Sequence, residues 1–188
     1  MFSATRTRLP GVVLIQTPVY RDPRGYFLEV WKQPKYADAG IPERFAQDNL
    51  SFSTQGVIRG LHYQNPFPQG KLVCVLQGTI YDVVVDVRLG SPTFGQWEGF
   101  TLDAEAGQQV YVPEGYAHGF AVMNQTALVL YKCTDVYQPR SEGSVLWNDP
   151  DLGISWPLAN PVLSDKDRAA PCLARILPKN LPQWTGQG

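Results

Sequence analysis

The strongest structural constraint in the sequence is a two-residue alternation over residues 79–87. The odd positions from 81 to 87 are tyrosine or valine, and the even positions alternate aliphatic residues with Asp82 and Asp86. A Gly-Ser-Pro turn follows at 90–92. A helix repeats every 3.6 residues, whereas a strand places every second side chain on one face. The run therefore predicts a β-strand with two carboxylates on the same face.

Further short strands are predicted on both sides of this run. The predicted strands span residues 72–76, 96–102, 109–112, 117–123 and 127–137. Turns at 77–78, 107, 113–115 and 124–125 separate them, consistent with the 17 glycines and 16 prolines of the chain. Helix is expected only at 34–39 and 164–170. This spacing favours an all-β sandwich or barrel. The length of the chain, 188 residues, favours a single domain over residues 1–188, with a loosely ordered tail at 178–188.

Composition excludes several classes of protein. The formal net charge of −1 argues against nucleic-acid binding, which needs a strong basic field. The longest apolar runs, such as residues 83–85, fall far short of the roughly 20 residues that span a membrane. The start lacks the apolar core of a signal peptide. Three cysteines without a CxxC pair favour a reduced, cytoplasmic chain, and with two histidines a metal site is not expected.

Several motifs, read together, resemble one enzyme family. In order and with near-uniform spacing they are DPRGYFLE (22–29), QDNLS (47–51), GVIRGLHYQ (56–64), QGKL (69–72), DVR with SPTFG (86–95), PEGYAHGF (113–120), YK (131–132), WNDP (147–150) and SDKD (164–167). Over about residues 10–175 the chain is similar to the dTDP-4-dehydrorhamnose 3,5-epimerase family. The resemblance implies a cupin-type jelly roll, or double-stranded β-helix, with a few short helices. It also implies a homodimer that exchanges N-terminal segments, and a reaction without cofactor or metal.

Four residues correspond to the catalytic groups of that family. His62 resembles the base, and an unperturbed imidazole with a pKa of about 6.5 suits this role. Tyr131 resembles the acid that protonates the sugar carbon from the face opposite the base. Lys71 resembles the cation beside the oxygen of the enolate, which forms when a proton is removed next to the 4-keto group of the sugar. Asp167 resembles the carboxylate that orients the base, although Ser164-x-x-Asp167 also fits a variant helix capping box. Asp165 is the alternative to Asp167.

Ten further residues correspond to the family's substrate contacts. Arg24 and Arg59 resemble the pyrophosphate ligands, Glu29, Gln47 and Asn49 resemble the residues that hold the nucleotide and sugar hydroxyls, and Tyr137 resembles the aromatic that stacks on thymine. His118 and Asp82 resemble a second His–carboxylate pair at the pocket, and Glu142 and Lys166 resemble lesser contacts. Arginine suits phosphate because its planar fork binds two oxygens. Tyr137 shares strand parity with Tyr131, which on a straight strand places the two side chains roughly 20 Å apart.

Two questions stay open at this point. Arg59 and His62 have opposite parity, so either Gly60 marks a bulge that turns both towards one pocket or Arg59 acts across the dimer. For function, the alternatives to double epimerisation are a single-site epimerase of a dTDP-4-keto sugar and a cupin that only binds the sugar nucleotide. A metal-dependent cupin dioxygenase would need a His-x-His cluster, which is absent.

Overall fold

The computed structural model describes residues 1–41 and 44–186, which form an all-β jelly roll. Its strands are β1 (Ser3–Arg6), β2 (Val13–Gln16), β3 (Val19–Asp22), β4 (Gly25–Leu28), β5 (Gln47–Thr54), β6 (Ile58–Gln64), β7 (Lys71–Gln77), β8 (Thr79–Asp86), β9 (Trp97–Asp103), β10 (Gln108–Val112), β11 (Tyr116–Val122), β12 (Thr126–Cys133) and β13 (Glu142–Ser144). The helices are α1 (Gln33–Ala37) and α2 (Asp165–Arg168), both where helix was predicted. No helix in the described ranges is long and apolar enough to cross a membrane.

The strands form two antiparallel sheets and one hairpin. The first sheet has the order β1-β2-β10-β7-β12-β5, and the second has the order β13-β6-β11-β8-β9. Strands β3 and β4 pair only with each other. The largest core cluster contains residues of both large sheets, with Val73 and Val129 from the first and Ile80 and Val84 from the second. The fold class predicted from the sequence is confirmed.

The C-terminal segment packs on the outer face of β8. Val83 and Val85 share a cluster with Leu181, which is only 4% exposed. The backbone N–H of Leu89 donates to the carbonyl of Pro182 at 2.8 Å, and a parallel β-bridge joins Leu89 to Gln183. Residues 178–184, for which a loosely ordered tail was expected, thus make packing and backbone contacts in the structure and cover the apolar face of β8.

Strand β12 ends four residues earlier than predicted. At its last residue, Cys133, it pairs with Gln47 of β5 and Lys71 of β7, and both neighbouring ladders stop there. The chain then crosses towards the other sheet, where β13 pairs with β6. Tyr137 lies in this crossing segment, so the prediction that it shares a strand with Tyr131 is wrong.

Candidate active site

The candidate active site is a cleft between the two large sheets. Two adjoining cavities of ≈ 250 and ≈ 280 Å³ share His62, Lys71 and Tyr131 as lining residues. His62 lies on β6 of the five-stranded sheet, whereas Lys71 and Tyr131 lie on β7 and β12 of the six-stranded sheet. The imidazole and the phenol therefore occupy opposite walls of one cleft.

Register explains why four polar side chains meet on the six-stranded wall. Cys133 is paired with both Lys71 and Gln47, and Tyr131 is paired with Asn49. Directly opposed residues of antiparallel strands point to the same face. Lys71, Tyr131, Gln47 and Asn49 therefore all face the cleft, as their presence in its lining shows.

Burial shifts the pKa values of two ionisable groups on this wall, the Lys71 ammonium and the Tyr131 phenol. Desolvation lowers the pKa of the Lys71 ammonium from its ordinary value, because the charged form is the one penalised. For the same reason, burial raises the pKa of the Tyr131 phenol, which loses a proton to become charged. Tyr131 therefore stays protonated to higher pH than a free tyrosine, whereas Lys71 loses its proton more easily than a free lysine.

A β-bulge brings Arg59 and His62 to the same side of β6. His62 pairs with His118 and Arg59 pairs with Phe120, so β6 uses three steps where β11 uses two. Gly60 sits in the bulge with φ +115°, and a Cβ there would lie 2.6 Å from the Cα of Gly119. Only glycine fits this backbone and this approach. Arg59 and His62 line one cavity, which favours the bulge over an Arg59 that points away to a second subunit.

His62 is hydrogen-bonded to Asp167. The distance from His62 Nε2 to Asp167 Oδ1 is 2.6 Å, and the Asp167 side chain is 5% exposed. Although burial disfavours the charged carboxylate, the hydrogen bond to His62 and its charge hold the pKa of Asp167 below its ordinary value. Asp165, the alternative considered above, is exposed.

The capping-box interpretation of this segment is correct for Ser164 only. Ser164 is the N-cap of α2, and its Oγ accepts the backbone N–H of Asp167 at 3.1 Å. The Asp167 side chain does not close a capping box but bonds His62 instead. Capping and orientation of His62 are therefore two uses of one short helix.

A second His–carboxylate pair lies beside the first. His118 and His62 are cross-strand partners, and His118 Nε2 lies 2.7 Å from Asp82 Oδ2. Asp82 is fully buried on β8 opposite Phe120 of β11. The pairing of His118 with Asp82, suggested by the family resemblance, is thus present in the structure.

Tyr137 is fixed at the outer end of the cleft by its backbone and its hydroxyl. Its N–H donates to Gln47 Oε1 at 2.8 Å, and its hydroxyl donates to Glu142 Oε2 at 2.8 Å. Glu142 is also ion-paired with Lys166. Burial opposes ionisation of Glu142, but the hydrogen bonds from Lys166 and Tyr137 hold its pKa below the ordinary value. Asn49 completes this end by accepting from Gln47 Nε2 at 2.8 Å.

Two predicted site residues, Arg24 and Glu29, lie outside the cleft. Arg24 is on the β3–β4 hairpin with its side chain 90% exposed and paired with Asp22. Glu29 follows β4 and is paired with Lys35 at 3.0 Å. Neither lines the cavities that His62 lines.

Sequence reasoning gave no role to several further residues in the lining, among them Gln64 and Ser51. Gln64 follows His62 by two positions on β6, so strand parity was the signal that could have assigned it to the cleft. Ser51 stands in the same relation to Asn49 on β5 and lines the cavity with Arg59. In the part of the chain that the structure describes, no group of three or more His, Cys, Asp or Glu residues is placed to hold a metal ion.

Comparison with other proteins gives matches over most of the chain. The family model for dTDP-4-dehydrorhamnose 3,5-epimerase matches residues 6–175. A dTDP-4-dehydrorhamnose 3,5-epimerase of Pseudomonas aeruginosa is 49% identical over 173 residues, covering 91% of this chain and 96% of that protein. A dTDP-4-dehydrorhamnose 3-epimerase of Streptomyces niveus is 45% identical over 161 residues, covering 84% and 78%. The crystal structure of a dTDP-6-deoxy-D-glucose-3,5-epimerase of Legionella pneumophila in complex with dTDP-4-keto-L-rhamnose superposes with a TM-score of 0.94 at 47% identity, covering 98% of this chain and 99% of that chain.

Proposed function

The chain belongs to the dTDP-4-dehydrorhamnose 3,5-epimerase family, and we propose that it converts dTDP-4-dehydro-6-deoxy-D-glucose into dTDP-4-dehydro-L-rhamnose. The observation that carries this proposal is the position of the His62–Asp167 pair across the cleft from Tyr131. Inversion of a carbon requires a proton to leave one face and another to arrive at the opposite face. A protein that only bound the sugar nucleotide would need neither group.

The chemistry follows from the keto group at carbon 4. It acidifies the hydrogens on carbons 3 and 5, because the charge left by deprotonation is delocalised onto the carbonyl oxygen. His62 removes the proton, and Asp167 stabilises the imidazolium that forms. The Lys71 ammonium stabilises the enolate oxygen. Tyr131 then protonates the carbon from the other wall. Afterwards His62 releases its proton to solvent, and Tyr131 takes up a new proton from solvent.

The remaining contacts of the cleft suit the nucleotide. Arg59 supplies a guanidinium for the pyrophosphate, next to His118. Tyr137 offers its ring to the thymine at the outer end. Gln47 and Asn49 offer amides to the hydroxyls, and the residues that fix Tyr137 complete this end.

The hairpin residues Arg24 and Glu29 reach a cleft in a homodimer. An isolated two-stranded hairpin is marginally stable in water, and this one exposes Tyr20 and Phe27 at 61% and 70%. A second copy of the chain that covers these rings would receive Arg24 at its own pyrophosphate site. The exposed aromatic surface and the distance of Arg24 from its own cleft support this arrangement.

A single-site epimerase is the second candidate. The Streptomyces niveus 3-epimerase is 45% identical to the chain, close to the 49% of the Pseudomonas aeruginosa 3,5-epimerase. Both reactions use one base and one acid, and they differ in whether one carbon or two present a hydrogen to the base.

Deuterium incorporation separates these candidates. Chelator-treated protein is incubated with dTDP-4-dehydro-6-deoxy-D-glucose in deuterated water, and the product is analysed by NMR. We expect deuterium at carbons 3 and 5 and an L-configured product. Label at one carbon alone would establish the single-site epimerase. Binding of dTDP without any label would make the protein a binding module, and a His62→Ala variant controls for uncatalysed exchange.

A further inference from the structure

Gln64 connects three segments of the cleft through one buried amide. It is 5% exposed, and its Oε1 accepts the backbone N–H of Gln138 at 2.8 Å. Its Nε2 donates to the carbonyl of Val136 at 3.3 Å and also to that of Phe67. The amide therefore holds the backbone on both sides of Tyr137 and, in addition, the loop that precedes β7.

The segment that carries Tyr137 depends on such contacts because it belongs to no sheet. It joins β12 to β13, and its backbone polar groups need partners outside a ladder. Gln47 supplies one partner by accepting the N–H of Tyr137. Gln64 supplies the partners at the residue before and the residue after it.

Gln64 also ties this segment to the reaction centre. It lies two residues after His62 on β6, and its cross-strand partner is Glu142, which accepts the Tyr137 hydroxyl. Strand β6 thus carries the base at one point and the support of Tyr137 at the next position on that face. Strand β6 therefore contributes both to the position of His62 and to that of the segment that carries Tyr137.

We propose that Gln64 is a positioning residue for nucleotide recognition, which it serves by holding Tyr137 in a fixed place relative to His62. This role rests on the proposed function, in which Tyr137 stacks on the base of a thymidine diphosphate sugar. Because the Tyr137 ring is already ordered in the free protein, nucleotide binding does not have to immobilise it, and no entropy of ordering this side chain opposes binding.

A double-mutant cycle on dTDP affinity tests the proposal. Calorimetry is performed with dTDP on the wild type, Gln64→Met, Tyr137→Ala and the double variant. Methionine has nearly the shape of glutamine and makes none of its hydrogen bonds. We expect Gln64→Met to weaken dTDP binding by roughly five- to tenfold when Tyr137 is present and by less than about twofold in the Tyr137→Ala background. With substrate, KM should rise while kcat stays within about twofold, since the His62–Asp167 pair is untouched.

Two controls separate positioning from general stability. Thr17→Val removes another buried side-chain hydrogen bond, that of Thr17 Oγ1 to the carbonyl of Gly107, and should leave dTDP affinity unchanged. Gln64→Glu keeps the acceptor for Gln138 and loses the two donors, so it serves for the cycle if Gln64→Met does not fold. Amide hydrogen exchange at Gln138 should be faster in Gln64→Met, which loses the acceptor of this N–H, and should stay close to the wild type in Gln64→Glu, which keeps it.

The outcomes that overturn the proposal are distinct from failure of the proposed function. Equal weakening in both Tyr137 backgrounds, or none in either, would show that Gln64 does not act through Tyr137. Unchanged amide exchange at Gln138 in Gln64→Met would show that the Gln64 amide does not hold this backbone. A wild type that neither binds dTDP nor turns over substrate would instead refute the proposed epimerase function. The exchange measurement would still report whether Gln64 holds the backbone beside Tyr137.

Discussion

The two His–carboxylate pairs of the cleft have nearly equal geometry and different surroundings. Their nitrogen–oxygen distances are 2.6 Å for His62–Asp167 and 2.7 Å for His118–Asp82. The His62 side chain is 30% exposed, whereas that of His118 is 8% exposed. Asp167 lies on a short capped helix, and Asp82 lies within a central strand. Within the described part of the chain, Asp82 Oδ1 has no hydrogen-bond partner.

This difference shows that a short His–Asp distance does not by itself identify a base. A base must reach the substrate and exchange its proton with solvent, and the imidazole of His62 has that access. His118 is enclosed between β6 and β8 and is better suited to present a fixed group beside Arg59. Solvent access of the imidazole, rather than the hydrogen bond, is therefore the observation that supports His62 as the proposed base.

The largest expected effect comes from a matched substitution of the two histidines. Glutamine can donate from about the position of Nε2 but cannot take up a proton, so each variant keeps a donor for its carboxylate. We expect His62→Gln to lower kcat by roughly a thousandfold, the usual contribution of a general base. His118→Gln should lower kcat by less than about tenfold and act mainly on KM. Both constants come from NMR-monitored turnover, with dTDP affinity measured in parallel.

Equal losses of kcat in the two variants would contradict this division of roles. Loss of dTDP binding in His62→Gln would indicate a damaged cleft rather than a missing base.

Tyr131→Phe tests the wall opposite both pairs. Removal of the phenol should leave proton abstraction by His62 in place and prevent protonation from the other face. Deuterium should therefore still enter the substrate, while formation of the L-configured product falls by roughly a hundredfold, within the range of a lost general acid. Both rates come from a single NMR time course. If exchange and inversion fall together, Tyr131 is not a separate acid.

The parts of the cleft that lie on regular strands could be predicted from the sequence. The alternation over residues 79–87 placed Asp82 on one face with Val84, and the structure buries that face between the sheets. The opposite parity of Arg59 and His62 left two alternatives, a bulge at Gly60 or an Arg59 that acts across a dimer, and the structure has the bulge. These are local consequences of the two-residue period of a strand.

The parts that depend on long-range packing could not be predicted in this way. His62 and Asp167 are 105 residues apart, and no local pattern reports their contact. Tyr137 was assigned to the wrong element, because the end of β12 is fixed by the lengths of β5 and β7. The tail was expected to be loose because of its prolines. The apolar face of β8 can be read from the sequence, but the contact of Leu181 with that face cannot.

The pH dependence of the reaction sharpens the assignment of Lys71. Its pKa is lowered by burial, and that of Tyr131 is raised by burial. Burial therefore favours loss of the ammonium proton and opposes loss of the phenol proton as pH rises, and without the ammonium the enolate has no cation beside it. We expect kcat/KM to fall on the alkaline side, and this fall to move to higher pH in Lys71→Arg, since arginine stays charged. A pH-rate profile of both proteins checks this; an alkaline limb at the same pH in both would assign it to another group.

The smallest expected effect comes from a change in α2, the short helix that carries Asp167 and has no counterpart at the His118–Asp82 pair. Ser164→Ala removes the acceptor of the Asp167 N–H and should reduce the free energy of unfolding by about 1 kcal/mol, the usual cost of a lost N-cap. Because Asp167 is then held less firmly, kcat should fall by about two- to fivefold, consistent with a positioning role. Urea unfolding and turnover give the two quantities, and Ser164→Thr, which keeps a hydroxyl acceptor, should restore both.

Asp82 has no comparable dependence on a helix cap, since the β8 ladder fixes its backbone on both sides. A stability loss with unchanged kcat would mean that the Asp167 carboxylate is held by His62 alone, and the helix would then be a cap without a catalytic consequence.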